Sequence, residues 1–198
     1  MEDFVRFAVA KGVKKYGFSS HAPLPFQTAW NMNQDDFPYY KQEFYRLKEK
    51  YKTDIELFLG LEVDYIESVF DAKSDLYDTG DFDYRIGSVH YLDPLPGGGF
   101  FSVDGKFFNF QKRMDEIYQG DIRIATERFF EISCNMVCKG GFDIVGHVDK
   151  ISQNGMKCNG FDITQPWYRK LVTDLLQLIK EKGLMLEINT KSFFELGI

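Results

Sequence analysis

The sequence is short of the features that mark several large functional classes. It has three cysteines, Cys134, Cys138 and Cys158, an odd number too small for a disulfide framework. Cys134 and Cys138 stand four apart in a stretch of helical periodicity, a spacing that predicts buried thiols rather than metal ligands. No apolar run approaches the roughly 20 residues of a membrane span, so no membrane partner is expected. The opening Met1-Glu-Asp-Phe4 has neither the basic nor the apolar region of a secretion signal, which predicts a cytoplasmic protein. Positive charge is scarce: 24 Lys and Arg against 30 Asp and Glu give a net charge of −6. Such a balance argues against a nucleic-acid surface, which needs clustered cations. A small phosphorylated substrate, needing only a metal and one or two cations, remains compatible. No Gly-x-Gly-x-x-Gly follows an apolar run, and Gly97-Gly98-Gly99 lacks the Lys-Ser/Thr of a phosphate loop.

What is present is an alternating pattern. The 198 residues, 44% hydrophobic and rich in Phe and Tyr, suffice for one domain with a sizeable core. Phe4, Val5, Phe7, Ala8 and Val13 fall at helical spacing, and Lys15 to Ser19 reads as a short strand leading to His21. A long loop follows from Ala22 to Asp36, with Pro23, Pro25 and Trp30, which reads either as a functional loop over a site or as a surface loop tied down by Phe26 and Trp30. Pro38 opens a helix to Lys50, and Asp54 to Tyr65 is the strongest strand, apolar at most positions as in a parallel strand covered on both faces. A short helix is expected over Ile66 to Leu76, a strand over Phe82 to His90, then a flexible loop. Helices are expected over Phe107–Gln119 and Ile122–Lys139, a strand over Phe142–Val148, and a polar loop to Gly160. A helix capped by Thr164 and Pro166 and closed by Gly183 precedes a last strand, Gly183–Thr190. This order means an α/β fold with a parallel sheet, either a full or partial barrel or a doubly wound sheet.

The chain has three histidines, His21, His90 and His147, each within a residue or two of the end of a predicted strand. Glu62 stands in the same way at the end of the run from Ile55. In parallel α/β barrels the strand C-termini converge, so residues there meet despite long gaps in sequence. A lone histidine after a strand is commonly a satisfied core or surface residue; all of them at equivalent places, with a carboxylate to match, point to a metal site. Imidazole with carboxylate suits Zn, Mn or Fe rather than Ca or Mg.

Five segments carry a family resemblance: Gly17-Phe-Ser-Ser-His-Ala-Pro23, Gly60-Leu-Glu-Val-Asp64, Gly87-Ser-Val-His90, Gly146-His-Val-Asp149 and Leu186-Glu-Ile-Asn-Thr-Lys191. In order and spacing they resemble the motifs of the polymerase-and-histidinol-phosphatase (PHP) superfamily, and most of all its monofunctional histidinol-phosphate phosphatases. The resemblance implies a distorted (β/α)7 TIM-like barrel with up to three metal ions at the strand C-termini. It implies that Glu62, His90 and His147 hold one metal, that Glu62 bridges to a second, and that His21 belongs to a further position. It places Lys191 near the substrate phosphate, with Lys150 a weaker candidate for that role and plain surface solvation the alternative for both. Two departures stand out. The family's opening His-x-His strand has no counterpart before Met1, and its closing Asp-x-His strand is not reached by Ile198. The expectation is therefore a single incomplete barrel over residues 1–198, lacking the first and the C-terminal strands, weakly active or inactive alone.

The chemistry implied is metal-assisted hydrolysis of a phosphomonoester, with a metal-bound water as nucleophile and L-histidinol phosphate as substrate. Another small phosphoester on the same barrel, a nucleic-acid-processing module, or a non-catalytic metal-binding remnant are the competing readings. The sequence leaves the oligomeric state open.

Overall fold

The apolar stretches assemble into a parallel sheet backed by helices. The computed structural model describes residues 1–77 and 82–190. Within them lie strands β1 (Lys15–His21), β2 (Glu56–Asp64), β3 (Tyr84–Ser88), β4 (Tyr91–Pro94), β5 (Phe100–Ser102), β6 (Ile144–Val145) and β7 (Met185–Leu186). The helices are α1 (Glu2–Ala10), α2 (Phe37–Lys50), α3 (Phe107–Tyr118), α4 (Ile122–Lys139), α5 (Ser152–Gly155) and α6 (Pro166–Glu181). Five strands form one sheet in the order β1-β2-β3-β6-β7, every pair parallel, and β4 and β5 form a separate antiparallel pair. The α/β class and the parallel sheet are as expected. Among the described residues the sheet is open, with β1 and β7 at its edges.

Strand β2 shows how the sequence builds this layer. Its side chains alternate with a period of two. Leu57, Leu59, Leu61 and Val63 are buried and join Phe44 and Leu47 of α2 in the main core. Gly60, Glu62 and Asp64 occupy the opposite face. Tyr84 on β3 lies flat against that face, and a Cβ at Gly17 or Gly60 would come within 2.3 or 2.4 Å of its ring or hydroxyl. Only glycine allows this approach. On the outer side α4 begins at Asp121, whose carboxylate accepts hydrogen bonds from the amides of Arg123 and Ile124 and so satisfies two free helix donors. Its apolar stripe, Ala125, Phe129, Ile132 and Met136, is buried, and truncating Phe129 to Ala would cost about 3–5 kcal/mol.

Several expected elements differ. Residues 66–76 do not form a helix: Ser68 takes a left-handed φ of 61°, a conformation that ends a right-handed helix, and Ile66 instead bridges Phe70. The loop after His90 contains the β4–β5 pair, held by stacked and edge-on contacts among Phe26, Tyr91 and Phe100. The strands expected over 142–148 and 183–190 shrink to β6 and β7, two residues each, because each pairs with the other over only those positions. Helix α6 starts at Pro166 with Gln165, not Thr164, at the cap position. Cys138 is exposed and Cys134 and Cys158 only half-buried, since α4 turns Cys138 outward from its apolar stripe.

Candidate metal centre

The register of the sheet brings the predicted residues together. His21, the last residue of β1, pairs with Glu62 on β2, so both side chains leave the sheet on one face. His90 lies two residues beyond β3, and His147 two beyond β6. Glu62 is the hub. Its Oε1 lies 3.0 Å from His147 Nε2 and 3.6 Å from His90 Nε2, while its Oε2 lies 3.7 Å from His21 Nε2. The ring centroids of His90 and His147 are 4.7 Å apart, and those of His21 and His90 5.1 Å. Ser88 at the end of β3 donates its hydroxyl to Glu62 Oε1 at 2.8 Å. Gly146 makes room for that hydroxyl, because a Cβ there would stand 2.3 Å from Ser88 Oγ.

The electrostatics follow from this crowding. Burial pushes the Glu62 carboxyl up, but the His147 hydrogen bond and the adjoining His90 and His21 outweigh it and bring the pKa down to about 2. Glu62 is thus an anion and a pure acceptor at neutral pH. Burial dominates at His21 and lowers its pKa, which keeps the ring neutral with a lone pair to give. Burial also works against the charged form of His90, yet Asp64 overcomes it and raises the pKa.

Three imidazoles around one buried carboxylate make a donor set for a divalent cation, and the satisfaction of their nitrogens supports that fit. His21 Nδ1 and His147 Nδ1 are buried without a hydrogen-bond partner among the described residues, unlike the nitrogens of a merely structural histidine. Two groups have ligand atoms close enough to share an ion: Glu62 with His90 and His147, and His21 with Asp64 and His90. The four predicted ligands, His21, Glu62, His90 and His147, therefore meet in one place. Lys150 is not a solvated surface residue: it is largely buried, with its Nζ 2.9 Å from Asp104 Oδ1. Lys191 lies outside the described residues.

Asp64 and Asp104 were not singled out by sequence. Asp64 is fully buried, with Oδ1 2.5 Å from His90 Nδ1. Its signal was available, since the strand period puts it on the face of Glu62 two residues earlier. Asp104, with Oδ2 3.8 Å from His90 Nε2, sits just past β5 in a segment that reads as featureless loop. Glu187, beyond β7, accepts the backbone N–H of His147 at 2.8 Å and ties that histidine's backbone to the end of β7.

The family model described as PHP domain matches residues 1–191. A histidinol-phosphatase from Lactococcus lactis is 27% identical over 190 residues, covering 94% of this chain and 64% of that protein. One from Bacillus subtilis is 28% identical over 203 residues, covering 96% and 74%. The chain thus spans about two thirds of the length of its relatives. A crystal structure of a candidate histidinol phosphatase from Listeria monocytogenes superposes with a TM-score of 0.85 at 23% identity, covering 98% of this chain and 78% of that one. The histidinol phosphate phosphatase of Lactococcus lactis, solved with zinc, L-histidinol and phosphate, gives 0.72 at 22% identity, covering 98% and 68%. At these identities the structural likeness speaks to the fold.

Proposed function

Because the chain belongs to the PHP domain family, we propose that it serves a metal-dependent phosphomonoesterase whose substrate is L-histidinol phosphate, cleaved to L-histidinol and phosphate. The observation that carries this reading is the convergence of three histidines on the two oxygens of Glu62. The names of the relatives supply the substrate, and the zinc bound to the Lactococcus lactis phosphatase supplies the favoured metal among Zn, Mn and Fe. Glu62, His90 and His147 would hold the first ion. His21 faces the other oxygen of Glu62 and would belong to an adjacent position.

Ions bound there would supply an acidified water and positive charge opposite the phosphoryl oxygens. The chain's own residues prepare for that chemistry. Glu62 stays ionised and keeps an oxygen toward each position. Ser88 holds Glu62 Oε1 in place, and Asp64 fixes the ring of His90. Lys150, braced by Asp104, offers a cation at the rim for a phosphoryl oxygen. No side chain needs to form a covalent bond to phosphorus.

The test is metal content and phosphate release measured together. The chain loaded with zinc or manganese should bind metal tightly and release phosphate slowly from L-histidinol phosphate. A chelator or Glu62→Gln should abolish both. Release that survives chelation would overturn the mechanism, and preference for other phosphomonoesters would overturn the substrate. Metal bound without release from any of them would favour a metal-binding module.

A further inference from the structure

Beyond the Asp64–His90 contact runs a chain of hydrogen bonds that the proposed reaction does not use. The Asp64 carboxylate is buried with both oxygens engaged: Oδ1 meets His90 Nδ1 at 2.5 Å, and Oδ2 accepts from Asn31 Nδ2 at 3.0 Å. A carboxylate has no proton to give, so His90 Nδ1 is the donor, and in the neutral ring Nε2 carries the lone pair. That nitrogen is the one 3.6 Å from Glu62 Oε1.

The orientation of the Asn31 amide is determined as well. Its Oδ1 accepts from Thr28 Oγ1 at 2.6 Å, which leaves Nδ2 to donate to Asp64 and, at 2.8 Å, to the Ala22 carbonyl. The Asn31 backbone N–H returns to Thr28 Oγ1 at 2.9 Å. The loop between β1 and α2 is therefore tied to a ligand histidine through one amide. Its neighbour Trp30 adds a second tie, its ring stacked on Tyr91, the residue after His90, at 6.0 Å and 17°.

We propose that Asn31 is a positioning residue of the metal centre: by occupying Asp64 Oδ2 it commits Oδ1 to His90, sets the His90 tautomer, and couples the order of the 22–36 loop to metal binding. This rests on the reading of Glu62, His90 and His147 as a metal site. The arrangement also decides between the two ligand groups that share His90. With Asp64 taken up by His90 Nδ1 and Asn31, it orients a ligand and is not one itself.

The experiment compares the full chain with Asn31→Ala, Thr28→Ala and, as a control in the same loop, Asn33→Ala, whose native amide donates to Asp36 at 2.9 Å. Three readouts are taken: zinc affinity by chelator competition, imidazole nitrogen NMR of His90 without metal, and Trp30 emission in a Trp167→Phe background. Asn31→Ala should weaken zinc binding up to about 10-fold, the low end of the range for lost direct partners of ligating histidines, because Asp64 itself remains on His90. It should also mix the His90 tautomers and shift Trp30 emission to the red. Thr28→Ala, which keeps the donor but frees the amide to turn over, should give a smaller change of the same kind. Asn33→Ala should match the unaltered chain. Asn31→Ala with unaltered ring signals and zinc affinity would overturn the proposal. Should the unaltered chain bind no zinc, the metal reading fails by itself, and the tautomer without metal still decides the role of Asn31.

Discussion

Arg128 on α4 and Glu62 on β2 are each the hub of a polar cluster, but only the Arg128 cluster is self-sufficient. Arg128 Nε meets Asp93 at 2.9 Å, Nη1 meets Glu131 at 2.8 Å and Nη2 meets Glu67 at 2.5 Å. Tyr118 donates to the other oxygen of Asp93 and Asn135 to the other oxygen of Glu67. Every nitrogen of the guanidinium faces a carboxylate, and the shared carboxylates are themselves bridged. Around Glu62 the balance is reversed. Lone pairs gather faster than protons, and two ring nitrogens are left buried without partners among the described residues. A cluster that closes its own hydrogen bonds fastens α4 to the strand ends. One that leaves them open is made for a guest of opposite charge.

The contrast can be broken at either hub. Glu62→Gln should have the largest effect, taking bound metal to background in elemental analysis and lowering phosphate release by roughly a thousand-fold or more, the several kcal/mol that metals contribute. Arg128→Met should leave metal content intact but cost about 2 kcal/mol in urea denaturation, because it strands carboxylates that are partly shielded from water. A loss of metal in that variant would show that the clusters are coupled.

Gly146→Ala probes the boundary between fold and site. Its Cβ would displace the Ser88 hydroxyl, so it should destabilise the chain by about 1 kcal/mol and weaken metal binding together. Adding Ser88→Ala should restore stability but not metal affinity, since the space returns while the hydrogen bond to Glu62 does not. The smallest effect is one of pH. The Arg128 guanidinium holds the Glu67 carboxyl below its ordinary 4.5. A depressed folded pKa adds stability above pH 4.5 that is lost as the pH falls below it. The melting temperature of Arg128→Met should therefore fall less steeply below pH 4.5 than that of the unaltered chain, and an equal slope would remove Glu67 from the account.

The sequence made the candidate ligands legible because a parallel sheet delivers strand ends to one place whatever separates them in the chain. His21, Glu62, His90 and His147 could be grouped without coordinates for that reason. Asp64 could also have been found, since strand periodicity alone sets it beside Glu62. Asn31 and Asp104 could not. Asn31 is placed by a loop whose shape depends on Thr28, Ala22 and Asp64 at once. Asp104 is placed by a hairpin that owes its form to contacts with Phe26, far off in sequence. The helix expected after Tyr65 failed on a single backbone angle, at Ser68, which periodicity does not see.

The ring of Tyr84 has a use beyond packing. Its hydroxyl donates to the Phe18 carbonyl at 3.0 Å while its ring rests on Gly17 and Gly60, so one side chain of β3 touches both β1 and β2. It works as a register pin. A one-residue slip of β1 would drive Phe18 into the ring and turn His21 to the far side of the sheet, away from Glu62. The height at which His21 and Glu62 emerge together is thus gauged by an aromatic ring that belongs to neither strand.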